Sequence, residues 1–439
     1  MRSFLISLLV LYAGFTAYVF TNREVAKRLN LDGLGDVSVS LGIASIAAAF
    51  LLYGGGGVAK RFVPEYIRNR DYAGARGLVL FFIAVCLTLA LGAGALALSG
   101  AFTLQFFFDG PVIDRIYREV LFAMALAPLL AMHHLLSATH QACDRPVIAL
   151  LPYEVIRPLV VLGGIFLAAM LITQIHDYHI IGVYIIGSLI LIAFQLLWLV
   201  PTQPQILKKP NDYVARKEWL AIGKSLFFSG CVLAIIRRVD LLAIEIFHPD
   251  EAAVGAFVML ILCAEIVWLN VDAVSNVMSH KIAGLRNDRN GLEALIFRSI
   301  RTVFVMGILA SIVLITFSRE LVTFLHPSLE KYAPWLVFLA AGAVVNSCLE
   351  VFVYVVRYGG LHEEAARWSR VVLVANIVLT SGAVIVGGLE GALMSVVFIG
   401  FARGMLYVWL VVRKLGLRPS HMFLGRMDTA PVQPERAAE

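Results

Sequence analysis

Charged side chains set inside long apolar runs are the residues of this chain with the clearest chemistry to offer. Arg237, Arg238 and Asp240 fall within the run 222–246, Glu265 and Asp272 within 254–278, and Asn346 and Glu350 within 334–356. Arg403 falls within 391–411, and Glu154 and Arg157 within 148–172. A charge at the centre of a bilayer costs roughly 2.5–3.5 kcal/mol, so such a residue is expected to face protein or water. On a continuous helix Arg237, Leu241 and Glu245 share one side, Asp240 lies close to it, and Arg238 points about 100° further round. Glu265, Asp272 and Asn276 form a second polar stripe, and Asn346, Glu350 and Tyr354 a third. One reading makes these stripes the lining of a central hydrophilic cavity. Arginine suits phosphate through its rigid fork of donors, and carboxylates and amides accept from hydroxyl groups or carry a coupling ion, H+ or Na+. The competing reading is mutual neutralisation: Arg237 with Asp240, Arg238 with Glu265 or Asp272, Arg157 with Glu154. Such pairs fix helix packing and touch no substrate.

Other chemical groups promise less. His133, His134 and His140 suggest a metal or a proton relay, but adjacent residues do not share a helix face and no acidic partner lies nearby in sequence, so no metal site is expected. Gly54 to Gly57 lacks the following Gly-Lys-Ser/Thr of a phosphate-cradling loop and reads as close helix approach or a hinge. The five cysteines lie in or beside apolar runs without CxxC or Cys/His spacing, and read as small buried residues.

These residues need membrane helices to hold them. Of 439 residues, 60% are apolar and only 15% charged, an excess over soluble proteins that has to be buried in lipid. A span of the hydrocarbon core takes roughly 20 apolar residues. Twelve such runs are expected, at 3–21, 37–57, 77–100, 119–139, 148–172, 181–203, 222–246, 254–278, 302–318, 334–356, 369–388 and 391–411. The first has no small-x-small cleavage site after it and reads as a membrane helix, not a secretory signal. Positive charge tests the count. With the N-terminus cytoplasmic, 25 of the 36 Lys and Arg fall in inside segments, 7 in outside loops and 4 within spans. One missed helix would scramble that split. Both termini are therefore expected in the cytoplasm, in a bacterial inner membrane. No loop is long enough for a soluble domain, which argues against a membrane enzyme, and the net charge of +6 needs no nucleic-acid partner.

Sliding the chain by 218 positions places Leu31-Asp32 on Pro249-Asp250, and Arg68-Asn69-Arg70-Asp71 on Arg286-Asn287-Asp288-Arg289. Each half then has six spans in the same orientation, a parallel repeat about an axis along the membrane normal. The expected organisation is an all-α membrane protein: a first half over 1–203, a basic linker over 204–221, a second half over 222–412 and a polar tail over 413–439. A substrate path between rocking halves is the transport scheme such a repeat supports.

Arg238-Val239-Asp240-Leu241-Leu242 is followed by His248-Pro249-Asp250-Glu251-Ala252-Ala253-Val254-Gly255-Ala256-Phe257 and then by His280-Lys281-Ile282-Ala283-Gly284-Leu285-Arg286-Asn287-Asp288. This series resembles polysaccharide exporters of the multidrug/oligosaccharidyl-lipid/polysaccharide exporter superfamily. Leu31-Asp32-Gly33-Leu34-Gly35 and the Lys60-to-Arg76 loop are similar to the first-half counterpart. Phe257 stands where Tyr is usual, and His280-Lys281 replaces Pro-Arg. The major facilitator superfamily fits less well, because Gly57-Val58-Ala59-Lys60-Arg61 does not match its second loop. The two extra helices of lipid II flippases are not found.

The resemblance implies a flippase that moves a polyprenyl-pyrophosphate-linked oligosaccharide from the cytoplasmic to the periplasmic leaflet for surface polysaccharide such as O-antigen. Membrane lipids, a glycan polymerase or glycosyltransferases are its expected partners, and no cofactor is expected beyond a coupling ion. The alternative within the superfamily is an ion-coupled antiporter of drugs and organic cations.

Overall fold

The computed structural model describes residues 2–107, 111–143, 146–202, 210–285 and 288–424. The described residues of the first half begin with α1 (Arg2–Leu52) and the short α2 (Gly55–Arg68), then α3 (Tyr72–Phe107) and α4 (Pro111–Ala142). It continues with α5 (Pro146–Leu151), a π turn (Pro152–Ile156), α6 (Arg157–Leu171) and α7 (Asp177–Thr202). The second half holds α8 (Arg216–Ile236), α9 (Val239–Phe247), α10 (Ala252–Gly284), α11 (Arg289–Thr316) and α12 (Ser318–Leu325). A 3-10 turn (Pro327–Tyr332), α13 (Ala333–Tyr358), α14 (His362–Leu415) and α15 (Pro419–Leu424) complete it.

Ten of the described helices are long and apolar enough to cross a membrane. Two of these, α1 and α14, are each double. Asn30 breaks α1 with φ 61°, and Gly388 breaks α14 with φ 55°. Counting each as two recovers all twelve expected spans. Gly388 meets both demands of its position, a left-handed backbone and close packing against the His248 ring, whose Nε2 lies 2.8 Å from where a β-carbon would stand. Helices overrun the expected spans because a helix leaving the hydrocarbon keeps its own backbone hydrogen bonds. Thus α11 starts at Arg289 and not near 302. The basic loop after the second span contains a helix that the span count passed over. In α2, Val58, Ala59, Phe62 and Val63 are buried while Lys60 and Arg61 face out, the division of an interfacial helix.

The repeat is visible in the element boundaries. The break at Asn30 and the turn at His248 stand 218 residues apart. The halves meet closely on α1 and α10. A β-carbon on Gly255 would stand 2.0 Å from the Leu31 carbonyl oxygen, and one on Gly35 would stand 3.2 Å from Val254 Cβ. Near the other end the Tyr12 hydroxyl donates to Asn270 Oδ1 at 2.9 Å, and Tyr53 stacks on Phe227 at 5.1 Å. At the Asn30 end Arg23 donates from Nε to the Phe324 carbonyl at 2.7 Å and lies over that residue's ring. One apolar core runs through both halves, from Val25 and Leu34 to Leu260, Leu339 and Leu393. Outer faces are apolar too: Leu91 and Leu96 on α3, Leu167 and Met170 on α6, and Val374 and Val386 on α14 are exposed. In a membrane protein that face belongs to lipid.

The last short helix is strapped to the start of α11. Buried Glu293 accepts the Arg418 backbone N–H at 2.7 Å, and its other oxygen lies 2.8 Å from His421 Nδ1. Leu417 and Met422 are buried alongside, in a small core with Leu292, Ile296 and Phe352.

Candidate functional site

The π turn in the fifth span positions the most distinctive group of side chains. Pro158 has no N–H to give the Glu154 carbonyl four residues before it, and its ring crowds that oxygen. The helix widens instead, and the Arg157 N–H reaches back to the Pro152 carbonyl. The freed Glu154 carbonyl faces α1, where Gly14 leaves room: a β-carbon there would lie 2.0 Å from that oxygen. The widened turn carries Tyr153 and Arg157 toward α4 and α7. The Arg157 guanidinium lies 4.8 Å over the Tyr153 ring and 5.5 Å over that of buried Tyr184. Tyr153 in turn stacks on His133 at 4.9 Å, and His133 Nδ1 lies 2.9 Å from Gln195 Oε1. His134 sits 5.5 Å from the same tyrosine ring.

Tyr18 on α1 joins this stack to the second half. Its hydroxyl lies within electrostatic reach of Arg157 from the first half and of Arg238 and Glu265 from the second. Arg238 approaches α1 at Gly42, its Cδ 3.7 Å from where a β-carbon on that glycine would stand. Both arginines carry a buried Nε with no hydrogen-bond partner. The three sequence candidates Arg157, Arg238 and Glu265 therefore all act on Tyr18, at the seam between the halves.

Asp240 lies elsewhere. The seventh span is not the continuous helix that the stripe of Arg237, Leu241 and Glu245 required. It breaks between α8 and α9, where Arg237 and Arg238 take ψ values of −9° and −1°. Leu241 is buried and Arg237 exposed, so the two do not share a face. The break turns Asp240 into the second half, where Thr380 Oγ1 lies 3.1 Å and Ser395 Oγ 3.4 Å from its Oδ1. Thr380 Oγ1 is also 2.9 Å from Asn376 Oδ1, and Asn376 donates its amide to the Ile236 carbonyl at 3.2 Å, an acceptor next to the break. This cluster of oxygens from α9 and both parts of α14 suits a proton or a small hard cation.

The remaining candidates lie on the seam between α13 and α14. Arg403 forms an ion pair with Glu350, and Asn346 donates to the Val397 carbonyl at 3.2 Å. Asp272 belongs to α10, but its side chain and that of Asn276 lie outside the described residues. Among the described candidates, Arg157, Arg238 and Glu265 act on Tyr18 at the seam, Asp240 sits with Thr380 and Ser395, and Glu350, Arg403 and Asn346 lie between α13 and α14. The aromatic members of the seam and the Thr380, Ser395 and Asn376 set escaped sequence reasoning. Tyrosines and hydroxyls in apolar spans carry no pattern; Pro152 and Pro158, which flank Tyr153 and Arg157, are the one signal of irregularity the fifth span offers.

No family model matches the chain, and no curated protein does. Solved structures do. An inward-facing multidrug resistance MATE family transporter of the MOP superfamily shares 14% identity at a TM-score of 0.66, covering 93% of this chain and 98% of that one. DinF-BH, a MATE multidrug transporter solved in a complex, shares 12% identity at a TM-score of 0.66, with 96% of each chain covered. A MOP superfamily transporter from Pyrococcus furiosus, reported for the reverse polarity of its binding pocket and a suggested different function, shares 12% at 0.64, covering 94% and 95%. At such identities the likeness is one of fold: a MATE-like bundle of two six-helix halves. It agrees with the superfamily that the sequence motifs resemble, and none of the three is described as a polysaccharide exporter.

Proposed function

We propose that the chain is an ion-coupled membrane exporter of small organic molecules, with the seam around Tyr18 as its substrate site. The observation that carries the reading is the shared ownership of that seam: Arg157 comes from the first half, Arg238 and Glu265 from the second. A site split between two rigid halves is exposed to one side of the membrane or the other as the halves rock, which is alternating access. Related folds solved in inward-facing and outward-facing conformations support that motion. Asp240, set apart from the seam among Thr380, Asn376 and Ser395, is suited to exchange H+ or Na+. The helix break beside it joins both sites, since Arg238 on one side of α9's first turn faces the seam and Asp240 faces the ion cluster. On this reading the membrane is the bacterial inner membrane, with both termini in the cytoplasm.

Full-length protein in liposomes, given a proton or sodium gradient and a panel of fluorescent organic solutes, tests this. Gradient-driven movement is expected for wild type, with Asp240→Asn folding normally but losing the response to the gradient. No movement of any solute under either gradient overturns it. A second reading, flipping of a polyprenyl-pyrophosphate-linked oligosaccharide with glycosyltransferases or a glycan polymerase as partners, is favoured by the two seam guanidinium groups, which suit a pyrophosphate. Translocation of a prenyl-pyrophosphate glycan in the same liposomes, without solute movement, selects it.

A further inference from the structure

Two buried guanidinium N–H groups at the seam have no acceptor, and they come from opposite halves. The Nε atoms of Arg157 and Arg238 are both buried and unpartnered. Guanidinium nitrogens only donate, so an acceptor is what they lack. A buried donor left unmade is costly, more so on a charged group. Tyr153 already makes a side-chain hydrogen bond to the Arg157 guanidinium, but Nε is left over, and the tyrosine faces at 4.8 and 5.5 Å offer it a quadrupole, not a lone pair along the N–H. At Tyr18 the guanidinium groups of Arg157 and Arg238 and the carboxylate of Glu265 are all felt. An organic cation brings no acceptor for the two Nε–H groups. A carboxylate, sulfonate or phosphate does. The flanking rings of Tyr153, Tyr184 and His133 suit a flat apolar body attached to that anionic group.

Resting on the exporter reading above, we infer that the seam is an anion site. Its ligand is an organic molecule with a carboxylate, sulfonate or phosphate head and a planar apolar body, and the head bridges Arg157 of one half to Arg238 of the other. Binding then holds the halves together across the seam.

The test is equilibrium binding to full-length protein in detergent, with no gradient, in chloride-free buffer. Phenyl phosphate is compared with benzyltrimethylammonium, which has a similar body and the opposite charge. Farnesyl pyrophosphate forms a third arm, to separate a lipid headgroup from a free small anion as the source of the phosphate. Wild type is expected to bind one or both phosphates at least about tenfold more tightly than the ammonium. Arg157→Gln and Arg238→Gln should each weaken the preferred phosphate by about tenfold, equivalent to a lost charge-assisted hydrogen bond. Arg157→Lys should recover part of the loss, because it restores charge without the fork. Thermal melting of each variant checks folding. If a Gln variant does not fold, the Arg157→Lys and Arg238→Lys pair carries the comparison. Tighter binding of the ammonium, or phosphate affinity unchanged in the folded double variant R157Q/R238Q, overturns the anion site. Phosphate binding with no solute transport in liposomes retires the exporter reading and leaves the site standing; transport of cations without phosphate binding does the reverse.

Discussion

Glu350 and Arg403 show what an intramembrane charge does when its partner is another helix. Each is about a quarter exposed, and each neutralises the other across α13 and α14. Glu350→Ala strands a guanidinium in apolar surroundings and should cost about 2 kcal/mol, below the roughly 3–5 kcal/mol of a fully buried pair because of the partial exposure. The double replacement E350M/R403M should recover most of that loss in thermal melting; a double variant no more stable than Glu350→Ala refutes the pair's purely structural role. The sequence marks both residues as unusual, since polar groups in apolar runs stand out. It does not say which partner each one finds. Arg403 and Glu350 lie 53 residues apart, and Arg157 and Arg238, from different helices, both act on Tyr18 of a third. Distances of that kind are decided by helix rotation, which depends on packing details such as Gly14 and Gly42.

At the scale of the element, the departures from regular helix sit where the polar groups are. The π turn at Pro152–Ile156 follows from Pro158, and its consequence is the placement of Tyr153 and Arg157. Replacing Pro158 with Ala restores the missing donor, so the turn should relax toward α-helix and Tyr153 should swing by most of a residue's 100°. Phosphate binding at the seam should then fall several-fold while melting temperature holds or rises; unchanged binding shows that the turn does not position the stack. The break between α8 and α9 was not legible, because Arg237-Arg238-Val239 contains neither Gly nor Pro. Its cause is tertiary: Asn376 takes the Ile236 carbonyl and Thr380 and Ser395 draw Asp240 inward. By contrast Gly388 follows Gly387 at the end of the expected span 369–388, where a break is legible. Gly388→Ala should destabilise by about 1–2 kcal/mol for its left-handed backbone, with more from the clash with His248, read as a lower melting temperature.

At the scale of the molecule, the bundle was the part most open to sequence reasoning. Span length and the 218-residue offset follow from bilayer thickness and duplication; the spans reappear as the long apolar helices, and the offset in the breaks at Asn30 and His248. Relative motion of the halves gives a prediction of its own. Gly35 and Val254 face each other across the halves, with β-carbon positions 3.2 Å apart, near the separation a disulfide needs. Oxidising the G35C/V254C variant should stop transport and leave phosphate binding in detergent intact, with activity returning on reduction. Transport that continues in the cross-linked protein would show that the halves do not separate at this end.

The strap that closes on Glu293 sets a schedule for the chain's synthesis. Glu293 belongs to the start of α11, and its acceptors are satisfied by Arg418 and His421, more than 120 residues later. A ribosome adding roughly 5–20 residues per second delivers those partners several seconds after Glu293 itself. Until then the carboxylate has to stay wet, so this corner of the second half finishes last, after three further spans have entered the membrane. A chain stopped at Leu415 is expected to contain every span and still keep an open corner there, detectable as rapid amide exchange at the start of α11.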